Sequence, residues 1–156
     1  MRGATIFSIG IFVILLVAGY FVTVNNILPD YFSGGSSEGS SLQPLHSVDV
    51  PLLVNGSSYI NIGFNSSTNI SLYIMNSNQF RNYSGLSLSN ISYNKRMVVN
   101  ITTPPKSEIY FSGSKSTLST KIFISQQGTY WVSFFNPDSR ASIYLSINQL
   151  SVTPKG

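Results

Sequence analysis

The sequence predicts a mainly β fold: one N-terminal transmembrane α-helix, a flexible linker, and an extracytoplasmic antiparallel β-sandwich of about seven to nine short strands. Three observations predict it. An uncharged, strongly apolar run extends from Gly3 to Leu28. A Gly/Ser-rich stretch, SGGSSEGSSL, follows from Ser33 to Leu42. Beyond Gln43-Pro44 the apolar residues recur at every second position, the period of strands with one buried face.

The centre of the apolar run reads IFSIGIFVILLVAGYFVTV, Ile6 to Val24. A helix rises about 1.5 Å per residue, so about 20 residues cross a hydrocarbon core of about 30 Å. Pro29 ends it, because proline lacks an N–H and pushes the residue before it out of the helical region. Tyr20, Phe21, Tyr31 and Phe32 place aromatic rings near one membrane boundary. Arg2 and the α-amino group precede the run, and no Lys or Arg follows it before Arg81. The positive-inside rule then divides the chain: 1–3 cytoplasmic, 4–28 across the cell membrane, 29–45 linker, 46–156 extracellular. Ser8, Gly10, Ala18 and Gly19 are the small residues that let this helix pack closely against helices of other membrane subunits.

Two other starts fit the same residues. Val17-Ala18-Gly19 offers a signal-peptidase cut, although the apolar run continues past it. Arg2-Gly3-Ala4 resembles the basic-Gly-small processing site of archaeal type IV pilins, with the departure that the leader would span only Met1 to Gly3. Each of the three exports the C-terminal part. The tether after it cannot bury enough apolar area to order itself, so the linker is expected to be a flexible coil.

In the outer domain, Ile60, Ile62 and Phe64 share one face of a strand over 58–64, and Ile70, Leu72 and Ile74 one face of a second over 69–74. The stretch SNQFRNY, Ser77 to Tyr83, suits a helical turn. Met97, Val99 and Ile101 alternate with polar or smaller neighbours; Ile109 with Phe111 and Ile122 with Ile124 mark further short strands. GTYWVSFF (128–135), the turn Asn136-Pro137-Asp138, and ASIYLSINQL (141–150) read as a hairpin, since Asn, Pro and Asp suit successive positions of a type I turn. Tyr130, Val132 and Phe134 then face Ile143, Leu145 and Ile147, leaving Trp131 and Phe135 half exposed on the opposite face.

Composition limits the partners and the chemistry. Charged residues make up 9% of the chain and cysteine is absent, against about 25% charged in an average soluble domain. A surface hydrated by Ser, Asn and Thr predicts a stability that varies little with pH, as suits a surface protein of an acid- or heat-exposed archaeon. The net charge is +4, but the basic residues are scattered and no nucleic-acid partner is expected. Asn55, Asn65, Asn69, Asn82, Asn90 and Asn100 each begin an Asn-x-Ser/Thr acceptor, which predicts N-linked glycans. The C-terminal hairpin, free of acceptors, is the expected bare surface for a partner.

No site for covalent or metal chemistry is predicted. His46 is the sole histidine, beside a linker expected to move, with Asp49 three residues on. A zinc or copper site needs further ligands, and a serine nucleophile needs a base held in place. Met75 and Met97 suit core filling. Asp49, Glu108 and Asp138 are too far apart in sequence to be read as a carboxylate pair. The chain therefore reads as a non-enzyme without cofactor or metal.

The order of YIMNSNQF, several strands, GTYWVSFFNP and a last strand resembles exported jelly-roll or GOLD-like β-sandwiches of single-pass membrane proteins, archaeal ones among them. The resemblance covers Ile60 to Val152. It implies a fold and an interaction role, and no catalytic residue. The function expected is that of an accessory or structural subunit of an archaeal cell-envelope or respiratory membrane complex, in the lipid bilayer and carrying N-linked glycans. A type IV pilin-like filament subunit is one alternative. A cell-surface adhesin or receptor working through exposed aromatics such as Trp131 is another.

Overall fold

The computed structural model describes residues 39–86, 95–101 and 104–156. Among these, seven strands and one helix follow in order: β1 (Gly39–Leu42), β2 (His46–Val54), β3 (Ser58–Asn76), α1 (Ser77–Ser84), β4 (Met97–Asn100), β5 (Tyr110–Ile124), β6 (Gly128–Phe135) and β7 (Ile143–Pro154). The chain is mainly β, as its periodicity predicts. No described helix is long and apolar enough to cross a membrane. The predicted span 4–28, with Ser8, Gly10, Ala18 and Gly19, lies outside the described residues.

β3 organises the sheet. Its first half, Ser58 to Ser66, pairs with β7, and its second half, Ser71 to Asn76, pairs with β6. β5 pairs with both halves, through register shifts between Asn65 and Ile70 and between Ser71 and Tyr73. The full order is β1-β7-β3-β6-β2-β4, with all pairs antiparallel. At the irregularities the sheet curls until its halves face one another, and Phe64 meets Phe134 edge to face at 5.6 Å. Val50, Ile62, Leu72, Val132 and Leu145 are among the side chains buried between the halves. The result is sandwich-like, built from one curled sheet.

The polar run Asn65 to Asn69 breaks the apolar alternation, which is why two strands are expected where β3 is one. Backbone ladders carry pairing through such a run; side-chain periodicity does not report them. The two short segments expected around 109–111 and 122–124 merge into β5 for the same reason.

Three other expectations are corrected. The linker, expected to be coil through residue 45, is ordered from Gly39: β1 pairs residue by residue with β7, and Leu42 is buried. A short edge strand needs few apolar contacts once a neighbouring backbone offers a ladder. Gly39 also leaves room for a side chain across it, since a Cβ there would lie 1.6 Å from the Tyr144 hydroxyl.

The 128–135 and 141–150 segments are not a hairpin. β6 lies between β3 and β2, and β7 between β3 and β1. Both strands carry their apolar face inward, so each pairs with β3, in different halves of the sheet. Asn136 holds the crossing: its buried Nδ2 donates to Leu42 O (3.2 Å), Gln43 O (3.1 Å) and Ala141 O (2.9 Å), and its Oδ1 accepts from Asp138 N (3.0 Å).

Trp131 and Phe135 are buried, not half exposed. With Tyr73, Met75, Val99 and Ile101 they form a second apolar cluster on the outer face of β3, β6 and β4, capped by Phe80 of α1. The expected helical turn is thus a covering helix. A capping box starts it: Gln79 N donates to Asn76 Oδ1 (2.9 Å) and Asn76 N donates to Gln79 Oε1 (2.8 Å). Gly85 ends it at φ 67°, its N–H donating to Arg81 O.

Candidate functional site

Polar side chains converge at two places. The first is buried beneath α1. Successive outward residues of β2 are Ser47 and Asp49, and the cross-strand partner of Asp49 on β6 is Ser133. On the other flank Asp49 faces Met97 of β4. Asp49, Ser47 and Ser133 are 0% exposed. Ser47 Oγ donates to Asp49 Oδ2 at 2.6 Å. Asp49 Oδ1, Ser133 Oγ, the Tyr83 hydroxyl of α1 and Trp131 Nε1 are buried with no formed hydrogen bond.

Burial pushes the Asp49 carboxyl up from 3.8 to about 6, although the Ser133 and Ser47 hydroxyls favour its ionised form. Burial also pushes the Tyr83 phenol up, and the charge of Asp49 adds to that. Ser133 is thus near both groups, yet its hydroxyl forms no hydrogen bond. A carboxyl with one partner, in an otherwise apolar cluster, is costly to ionise. The sequence gives a weak sign of this place. Ser47 and Asp49 alternate with Val48, Val50 and Leu52, a pattern that reads as an ordinary solvated face until α1 is laid over it.

The second place is solvent-exposed, on the outer face of β3, β5 and β7. The register puts Phe123, Tyr59 and Thr153 in one row and Lys121, Asn61 and Ser151 in the next. Tyr59 and Phe123 stand 5.3 Å apart. Lys121 Nζ lies 4.3 Å above the Tyr59 ring, and Lys155 Nζ 4.9 Å above that of Phe123. Asn61 Nδ2 donates to Thr153 Oγ1 at 3.0 Å. At Gly63 an added Cβ would lie 2.4 Å from Asn148 Oδ1, so glycine lets that amide lie across the strand. The far flank of β5 pairs with no strand among the described residues.

Of the Asn-x-Ser/Thr asparagines, Asn55, Asn65, Asn69, Asn82 and Asn100 are all exposed. They occupy the β2–β3 turn, the bend of β3, the outer side of α1 and the end of β4; Asn90 lies outside the described residues. Asn65 Oδ1 accepts from Thr117 Oγ1 at 2.9 Å, which leaves its Nδ2 available. His46, expected in a mobile segment, is the first residue of β2, its Nδ1 2.8 Å from Pro44 O. Among the described residues no three of His, Cys, Asp or Glu are grouped as metal ligands. Among the described residues the exposed aromatics are Phe111, Phe123 and Tyr144, not Trp131.

No protein-family model matches this chain, and no curated protein matches its sequence.

Proposed function

We propose that this chain is a non-catalytic, single-pass membrane subunit that works by contact. In this reading its apolar N-terminal helix sits among the helices of an archaeal cell-envelope or respiratory membrane complex, and its β-domain, glycosylated and GOLD-like, covers the outer side. The observation that carries the reading is β5. It runs 15 residues, pairs on one flank only among the described residues, and carries the exposed rings Phe111 and Phe123. A long unpaired strand edge presents a row of free N–H and C=O groups that a strand of a partner subunit can complete. Lys115 and Lys121 on the same strand discourage indiscriminate pairing and favour a partner strand bearing carboxylates.

The absence of cysteine makes the test clean. In intact cells, full-length protein with Ser125→Cys in the exposed β5–β6 turn should react with a membrane-impermeant maleimide. Labelling only after lysis would overturn the orientation. A photocrosslinker at Ser119, in gently solubilised native membranes, should give one discrete adduct with an integral membrane protein; recovery as an uncrosslinked monomer would overturn the subunit role. Enzymatic deglycosylation should lower the mass of the native protein, and an unchanged mass removes the glycan claim.

The pair of half-buried Tyr59 and exposed Phe123 favours a second reading, a cell-surface adhesin. Aromatic faces stack on sugar rings, and Lys121 and Lys155 beside them suit an anionic glycan. Retention on an acidic polysaccharide column, lost in Tyr59→Ala, would select it over the subunit reading.

A further inference from the structure

The cluster beneath α1 has no part in either reading, yet it carries a second property. α1 is closed at both ends by its own residues, the Asn76–Gln79 capping box and the left-handed Gly85. Phe80 lies flat on Trp131 with centroids 3.8 Å apart, the Tyr83 hydroxyl is buried beside Asp49, Ser77 Oγ donates to Thr129 O of β6 at 3.3 Å, and Gln79 Nε2 donates to Ser107 Oγ at 3.3 Å. Under the helix, one carboxylate oxygen and three potential donors lack partners. Native proteins rarely leave buried polar groups unmatched, and each one costs free energy.

We propose that α1 is a latch whose docking is set by the charge on Asp49: closed over the carboxylic acid, and released from the carboxylate.

A neutral Asp49 gains an O–H donor, which Ser133 Oγ or the Tyr83 hydroxyl can accept, so fewer groups of the closed pocket lack a partner. A carboxylate in the same place is held away from water, with one formed hydrogen bond, from Ser47 Oγ. Lifting α1 admits water, and exposes Trp131 together with Met75 and Phe135. Proton loss from Asp49 is the only chemical change required.

The groups around Asp49 leave it as the one that titrates. From α1 comes Tyr83 and from β3 Tyr73, both phenols pushed up by burial, Tyr73 further by Glu108, and so neutral throughout. β6 presents Trp131, Ser133 and Phe135; β4 presents Met97 and Val99. His46 on β2 falls on the alternate position, paired with Asn100. With a raised carboxyl near 6, the switch lies in the weakly acidic range.

Trp131 is the only tryptophan, so its fluorescence reports the latch without labelling. In the full-length protein in detergent micelles, raising pH from 4 to 8 should shift emission to the red and raise acrylamide quenching severalfold. The midpoint should fall near 6, with the far-ultraviolet strand signal unchanged. After correction for intrinsic rates, amides 77–85 should exchange about a hundredfold faster above the transition, the fold-change that a shift of about two pH units allows. β3 and β6 should remain protected. Asp49→Asn should hold the latch closed and flatten both profiles.

A pH-independent emission in the wild type overturns the proposal, as does a transition that survives in Asp49→Asn. Faster exchange spread evenly over the sheet would also overturn it, since that is global unfolding. Should Asp49→Asn fail to fold, the wild-type exchange pattern decides alone.

Discussion

Phe80 of α1 lies flat on Trp131 of β6, their ring centroids 3.8 Å apart and their planes within 4°. Both side chains are 0% exposed. This contact converts an outward face of the sheet into a second core, because an eight-residue helix alone cannot hold its place in water. Phe80→Ala removes the lid from the cluster. It should cost about 3–5 kcal/mol, the usual range for a buried phenylalanine, and shift Trp131 emission to the red. Urea unfolding followed by fluorescence measures both effects.

Asn136 joins the two halves of the sheet at the β6–β7 crossing through three donated bonds and one accepted bond. Asn136→Ala takes the Asn136 donor from the Leu42, Gln43 and Ala141 carbonyls, of which Gln43 O keeps the His46 N–H, at about 1–3 kcal/mol for each group left unpaired that water cannot reach. The expected total is about 3 kcal/mol. Asn136→Asp keeps the acceptor for Asp138 N and loses the donors, so it should destabilise as much or more at neutral pH. Thermal unfolding of the two variants checks the order.

The pH dependence has a definite sign. The carboxyl of Asp49 stands near 6 in the fold against 3.8 ordinarily. Folding therefore takes up a proton, and stability is full below about pH 4 and falls as pH rises through 6. The loss levels off near neutral pH at about 3 kcal/mol, about two pH units at about 1.4 kcal/mol each. This revises the expectation, drawn from the scarcity of charge, that stability varies little with pH. Urea midpoints should fall between pH 4 and 7 in the wild type and stay level in Asp49→Asn.

Gly85 closes α1 at φ 67°, and a Cβ there would meet nothing within 4 Å. Gly85→Ala should therefore cost only the conformational penalty, about 1 kcal/mol. The loss should appear as faster exchange of amides 77–85 before any fall in global stability.

Much of the fold is legible in the residues. Ile60, Ile62 and Phe64, or Ile143, Leu145 and Ile147, announce strands and name the buried face correctly, since alternation is a local property that burial on one side imposes. SNQFRNY announces a helical turn where α1 stands, without the caps Asn76 and Gly85 that bound it. The cluster at Asp49 was hidden for the opposite reason: in Ser47-Val48-Asp49-Val50 the polar positions look solvated, and only a helix thirty residues downstream in the chain buries them. Likewise nothing in GGSSEGSSL marks where coil becomes strand, because the ladder that orders Gly39 to Leu42 belongs to β7.

The amino-acid order by itself determined an apolar, uncharged leading segment, a cysteine-free β-rich domain and six Asn-x-Ser/Thr sequences, all of them matters of composition and short-range pattern. The tertiary structure alone decided that β6 and β7 part to opposite halves of a curled sheet, that Trp131 lies under α1, and that Asp49 is buried with its bonds half made. Pairing and burial arise between residues far apart in the chain, and a local pattern carries no record of which distant surface will cover it.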